Sequence, residues 1–205
     1  MALRTDSPST NITLIGRLRA PDDDTAWRAF VDLYTPLVYR HCRGRGLQDA
    51  DAKDVTQEVF TQVSRGMRTF VYDPSRGRFR GWLGTIVSHA IGKHFTRLRR
   101  AGQGVGGSDA GGLVAGAQNE NDAAWTEEFN TQILRSALDR TRPEFETATW
   151  RAFELTWIGE TTPQEAAALL ERPVPWIYKA RFKVLAQLKE QVLFLTADVA
   201  FFAKD

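Results

Sequence analysis

From Ala101 to Ala124 the chain carries Gly102, Gly104, Gly106, Gly107, Gly111, Gly112 and Gly116, interspersed with Ser108, Asp109, Gln118, Asn119, Glu120 and Asn121. A stretch of that composition cannot bury enough apolar area to offset the entropy of ordering it, so it reads as a flexible linker. The constraint on folding is direct: the rest of the chain must build its structure on one side of this segment or the other. A chain of 205 residues then supplies two domains, each long enough to enclose a core without a disulfide or metal.

Periodicity on both sides is helical. Trp27, Phe30, Val31, Tyr34, Leu37, Val38 and His41 recur at three- and four-residue steps, and Asp22 to Asp24 supply cap and dipole partners for a helix start. A second amphipathic segment runs from about Ala50 to Phe70, with Val55, Val59, Phe60, Val63 and Met67 on its apolar side, and a third runs from Phe79 to about Arg100. No strand alternation is evident. After the linker, Trp125 to Arg140 and Phe145 to Ile158 are again periodic, with Pro143 between them. The expected fold is therefore all-α: a first helical domain over 8–100, a linker over 101–124, a second helical domain over 125–195 and an apolar tail over 196–205.

Near the end of the second block, Thr162, Pro163 and Glu165 fit the N-cap, first and third positions of a short helix through Leu170, a capping box. Pro173 and Pro175 then start a helix to about Phe194, with Ile177, Ala180, Val184, Leu185 and Leu188 inside. Two short helices about a tight turn form a helix-turn-helix pattern, whose second helix enters a major groove. Pro175, Trp176, Lys179, Phe182 and Lys183 fall opposite the inner stripe, and Tyr178 and Arg181 flank it. A solvated hairpin is the plain alternative.

Charge is unevenly distributed. Between Arg65 and Arg100 nine positive side chains face Asp73 alone, a balance of +8 in a chain whose formal total is +2. Within that stretch, Tyr72-Asp-Pro-Ser-Arg-Gly-Arg-Phe-Arg-Gly-Trp-Leu83 interleaves rings with arginines. Arginines draw in phosphates, and exposed rings can stack unpaired bases at roughly 1–3 kcal/mol each. On the preceding helix, Asp51, Asp54 and Glu58 form an acidic stripe across from Val55 and Val59, which by itself could be a wet face.

Several classes are disfavoured. His41 and Cys42 are adjacent and His89 and His94 lie five apart, so neither pair has the i, i+4 spacing of a helical zinc site. The linker glycines precede no Walker lysine and follow no strand, and no nucleophile has a plausible base. No catalytic residue, cofactor or metal is expected. Cys42 cannot pair within the chain, and the residues after Met1 lack the apolar run of a secretory signal, which points to a reduced, cytoplasmic setting. The apolar run Val192 to Phe202 is broken by Thr196 and Asp198 and is shorter than the ~20 residues of a membrane span, so no membrane insertion is expected.

Taken together, the segment Asp51 to Phe60, the segment Tyr72 to Leu83 with the basic end Arg97-Leu-Arg-Arg100, and the helix-turn-helix from Gln164 to Leu188 resemble sigma-70 family factors of the extracytoplasmic-function (ECF) group, the short type with sigma-2 and sigma-4 domains only. Thr13 to Leu18, Ala26-Trp27 and Tyr34 to Leu37 resemble the planctomycete version. The resemblance implies a non-enzymatic subunit that binds core RNA polymerase, directs it to specific promoter DNA and assists opening. Asp51, Asp54, Gln57 and Glu58 would then dock on polymerase. Tyr72, Arg76, Arg78, Phe79, Arg80, Trp82, His89, Lys93, Arg97, Arg99 and Arg100 would hold the minus-ten element. Thr162, Pro175, Trp176, Tyr178, Lys179, Arg181 and Lys183 would meet the minus-thirty-five element. The chain departs from common members at His89, Lys93, Glu171 and Pro173. The tail Val192 to Asp205 either packs as a helix extension or receives an anti-sigma factor or other regulator. A stand-alone helix-turn-helix regulator that never contacts polymerase is the alternative function.

Overall fold

The structure is a computed structural model, and it describes residues 13–18, 23–67, 79–102, 123–159 and 161–196. All regular structure among them is helical, as the periodicity requires. Most of the expected linker, residues 103–122, lies outside the described residues, whereas its expected ends are helical: Ala101 and Gly102 close one helix, and Ala123 and Ala124 open the next.

Contacts divide the chain into two units, and the division falls between Gln132 and Ile133. The first unit contains α1 (Leu14–Arg17), α2 (Asp24–Gly44), α3 (Asp49–Met67) and α4 (Phe79–Gly102), and the opening ten residues of α5 (Ala123–Thr141). Asp23 caps α2: its Oδ1 accepts from the Ala26 amide at 2.9 Å, and both its oxygens accept from Arg17, at 2.8 and 3.0 Å. The cap satisfies an amide the helix itself leaves unpaired. Gly46, at φ 89°, turns the chain between α2 and α3 in a backbone region that side chains with a Cβ disfavour.

α3 packs against both α2 and α4. Their meeting faces bury Phe30, Tyr34, Val38, Val55, Val59, Val63, Leu83 and Val87. Phe30 sits amid Tyr34, Phe60 and Phe79, with ring centroids 4.6, 5.9 and 6.0 Å away. The last two contacts are edge-on, the arrangement the ring quadrupoles favour. Cys42 is buried here too, and burial pushes its thiol up to about 11, the behaviour of a small core residue.

The second unit holds the remainder of α5, a 3₁₀ turn at Arg142–Glu144, α6 (Thr147–Phe153) running into a π-helical turn (Glu154–Ile158), α7 (Pro163–Leu170) and α8 (Val174–Thr196). The capping box forms as the spacing requires: Thr162 Oγ1 accepts from the Glu165 amide at 3.3 Å, and Glu165 Oε2 accepts from the Thr162 amide at 3.0 Å. Ala166 and Ile177 join Ala152 and Ala180 in a small-residue cluster that lets α7 and α8 approach α6. α8 continues beyond the expected Phe194. Val192, Leu195 and Thr196 are buried, and the Arg140 guanidinium stands 5.1 Å over the Phe194 ring, so the tail begins as a packed helix extension. Residues 197–205 lie outside the described residues.

Candidate nucleic-acid interface

In the first unit, α3 brings its acids up against the basic side of α4. Glu58 accepts from Lys93 at 2.6 Å and pairs with Arg97 at 3.5 Å, and Asp51 lies 3.9 Å from the His94 ring. Residues expected to serve separate partners therefore meet each other. Lys93 and Arg97 are each more than half exposed, so these pairs are each worth only about 0.2–1 kcal/mol and can be exchanged for stronger partners. Asp54 and Gln57 stay exposed on the outer side of α3, and His89 and Arg100 are exposed on α4, with Arg99 partly so.

The aromatic–arginine segment divides. Tyr72, Arg76 and Arg78 lie outside the described residues. Phe79, expected to meet DNA, is instead a core ring, 1 % exposed and within 6.0 Å of Phe30 and 5.7 Å of Tyr34. It occupies the first turn of α4, on the face turned to α2, where exposure would open the unit's largest aromatic cluster. Trp82 is half-buried, tilted on Phe79 at 5.5 Å. Its indole edge crosses Gly66, where an added Cβ would come within 2.9 Å of Cζ2, so part of this ring is occupied in seating α4 on α3. Arg80 is half-buried and donates to Asn130 Oδ1 at 3.2 Å.

The start of α5 is the part of this unit that sequence reasoning missed. Trp125, expected to open the second domain, is 4 % exposed and donates its indole N–H to the Arg80 carbonyl at 3.0 Å. The same ring meets His41 edge-on at 5.1 Å and covers Gly84 so closely that a Cβ there would lie 2.6 Å from the indole nitrogen. Phe129 packs on Tyr34 at 5.8 Å. Gln132 ties the end of the segment down, donating to the Leu33 carbonyl at 3.1 Å and accepting from Arg40 at 2.7 Å. His41, 3 % exposed, bonds Glu128 through Nδ1 at 2.9 Å. Burial lowers the His41 pKa below its ordinary value against the pull of Glu128, so the ring is neutral and donates Nδ1–H to the carboxylate.

In the second unit, α7, the left-handed Glu171 at φ 51° and α8 make the helix-turn-helix. Pro175, Lys179 and Lys183 are exposed, as is Tyr178 at 53 %, while Arg181 is partly covered. Trp176, expected on the outer face, leans back onto the Ala152–Ala166–Ile177–Ala180 cluster with the Arg172 guanidinium 5.4 Å over its ring. Trp176 stands in the first turn of α8, where its ring packs against that cluster. Thr162 is exposed, with its hydroxyl engaged by Glu165 at 2.7 Å.

Two features had a sequence signal that went unused. Phe95 and Leu98 are exposed on α4 among the arginines, at 36 % and 51 %: Phe95 stands to one side of the apolar stripe of Val87 and Ile91, and Leu98 continues that stripe beyond the packed part of the helix. Among the described residues there is no group of three potential metal ligands, and no helix long and apolar enough to cross a membrane.

The α2–α4 part of this unit, with a basic helix over an acidic one, coincides with a known family: residues 30–101 match Sigma-70 region 2. A curated relative sharpens the comparison. The chain is 35 % identical over 96 residues to the ECF RNA polymerase sigma factor BldN of Streptomyces coelicolor, a match that takes in 46 % of this chain and 35 % of that protein. The matched chain thus spans about a third of the length of that relative.

Proposed function

We propose that the chain is an RNA polymerase sigma factor of the ECF type, which binds core RNA polymerase, brings it to particular promoters and assists their opening. The observation that carries this reading is the pairing of a region-2 match over α2–α4 with a separate helix-turn-helix in α7–α8. One unit alone would suit many DNA-binding proteins; both in this order suit a subunit that reads two spaced elements.

On this reading the first unit is sigma-2-like. Asp54 and Gln57, exposed on α3, make first contact with polymerase, and Asp51 and Glu58 join them by exchanging His94, Lys93 and Arg97 for polymerase cations. Lys93 and Arg97 are then released to join His89, Arg99 and Arg100 on the phosphates of the minus-ten region. Tyr72, Arg76, Arg78 and the accessible part of Trp82 complete that surface, and Phe79 supports it from the core. The second unit is sigma-4-like and presents α8 to the minus-thirty-five element, and α5 carries the chain from the first unit into it. The setting is the cytoplasm.

Charge reversal at Asp54 tests the reading. Asp54→Arg changes an exposed side chain that no described contact requires for folding. It should weaken binding to bacterial core polymerase at least tenfold and leave duplex-DNA binding intact. Unchanged polymerase binding would argue against this docking face, and no polymerase binding by the unaltered chain would favour a stand-alone DNA-binding regulator.

A further inference from the structure

Phe182 is 73 % exposed, the most exposed large apolar side chain among the described residues, and it lies near the middle of α8. At about 100° per residue, Pro175, Phe182 and Ala186 fall within about 20° of one line, opposite the buried Ile177, Ala180, Val184 and Leu188. Tyr178, 53 % exposed, sits beside them. A solvated face has no use for this much apolar surface, and rings displayed so openly are usually covered by a partner.

The surroundings say what covers it. Lys179 and Lys183 border the stripe on one side and Arg181 on the other, while no Asp or Glu occurs from Val174 to Lys189. An apolar ridge with basic side chains on its flanks and no acid beside it complements a surface with phosphate walls and an apolar floor. A duplex major groove has that form, and its apolar floor is the C5 methyl of thymine, the base feature that an aromatic or alkyl side chain can read. A polar side chain at 182 would read hydrogen-bonding edges; a phenyl ring has no donor or acceptor to offer.

We propose that Phe182, supported by Tyr178, is a specificity residue that selects thymine methyl groups in the major groove of the upstream promoter element. This rests on the sigma-factor reading and deepens it by assigning a chemical feature to the base that α8 prefers. Lys179 and Lys183 hold the flanking phosphates and contribute affinity without preference.

The test uses the full chain bound to bacterial core RNA polymerase and a pooled duplex library with randomised upstream positions. The library is made in parallel with thymine or with uracil, which lacks only the C5 methyl. Enriched thymine duplexes should share thymine at one or two upstream positions. Replacing each with uracil should weaken binding about fourfold, corresponding to ~0.8 kcal/mol per buried methyl-sized group. Phe182→Ala should bind the two forms alike at those positions and keep its downstream preferences, and because the site is exposed the variant should fold normally. Equal affinity of the unaltered chain for both forms would overturn the inference, as would a thymine preference that survives in Phe182→Ala. If Phe182→Ala instead weakens polymerase binding with no thymine dependence, the ring docks on protein and the inference also fails. Failure of the unaltered chain to enrich any two-element duplex would sink the sigma-factor reading itself, and is distinguished by the loss of all selective binding.

Discussion

Truncating Trp125 puts the most consequential feature of the first unit at stake. Trp125 is 4 % exposed, donates to the Arg80 carbonyl at 3.0 Å, meets His41 edge-on and walls off Gly84. A tryptophan of this kind buries about 150–250 Å², which at ~25 cal/mol per Å² is an upper bound of about 4–6 kcal/mol, and measured Trp→Ala changes in cores cost about 3–5 kcal/mol. Trp125→Ala should therefore cost the first unit about 3–5 kcal/mol. At about 4 °C per kcal/mol for a unit of this size, its melting temperature should fall by about 12–20 °C. Hydrogen exchange in the full chain locates the effect. At tenfold per 1.4 kcal/mol, amides of α2 near Leu33 to His41 should lose about a hundredfold or more of their protection if they exchange through opening of the whole unit. Trp125→Phe, which keeps most of the area and loses the N–H donor, should cost only about 1–2 kcal/mol. A loss below ~1 kcal/mol in Trp125→Ala, or exchange changes confined to residues beyond Ile133, would refute the assignment of this segment to the first unit.

Two further perturbations follow from local geometry. Glu171 closes α7 at φ 51°, a conformation that costs a residue with a Cβ about 1 kcal/mol, so Glu171→Gly should stabilise the second unit by roughly 0.5–1 kcal/mol; a drop in its melting temperature would contradict the cap geometry. His41 is held below its ordinary pKa by burial, so between its folded value and the unfolded value of about 6.5 the unfolded chain binds the extra proton and stability falls as pH falls. The urea midpoint of the first unit should decline from pH 7.5 to 5.5, and less so in His41→Gln, which does not titrate there; an identical decline in both would show that other groups set the slope.

What could be read from the sequence was what neighbours along the chain decide. The capping box at Thr162–Glu165, the Asp23 cap and the start of α4 at Phe79 each depend on residues within a turn or two, and they stand where the spacing put them. The all-α fold followed from the same periodicity. Phe79 was misplaced because its arginine-rich context reads as surface, while its burial depends on Phe30 and Tyr34, more than forty residues earlier. Trp125, Phe129 and Gln132 look like the start of a new domain, since a glycine-rich stretch precedes them. Their partners Leu33, Arg40 and His41 lie 84 to 99 residues away, and no local rule reaches that far. Trp176 shows the same limit at shorter range: the wheel puts it outside, and the small residues of α6 and α7 give it somewhere to lean. The ion pairs of Glu58 with Lys93 and Arg97 were also not legible, since they depend on how α3 and α4 align.

The proposed function is that this chain gives RNA polymerase its promoter. It is tested most directly by transcription with bacterial core polymerase on pooled genomic fragments, with and without the chain, reading the 5′ ends of the products. A sigma factor should give new starts that depend on the chain and share two spaced upstream elements. No new starts, with duplex-DNA binding retained, would contradict it and leave a helix-turn-helix protein that acts without polymerase.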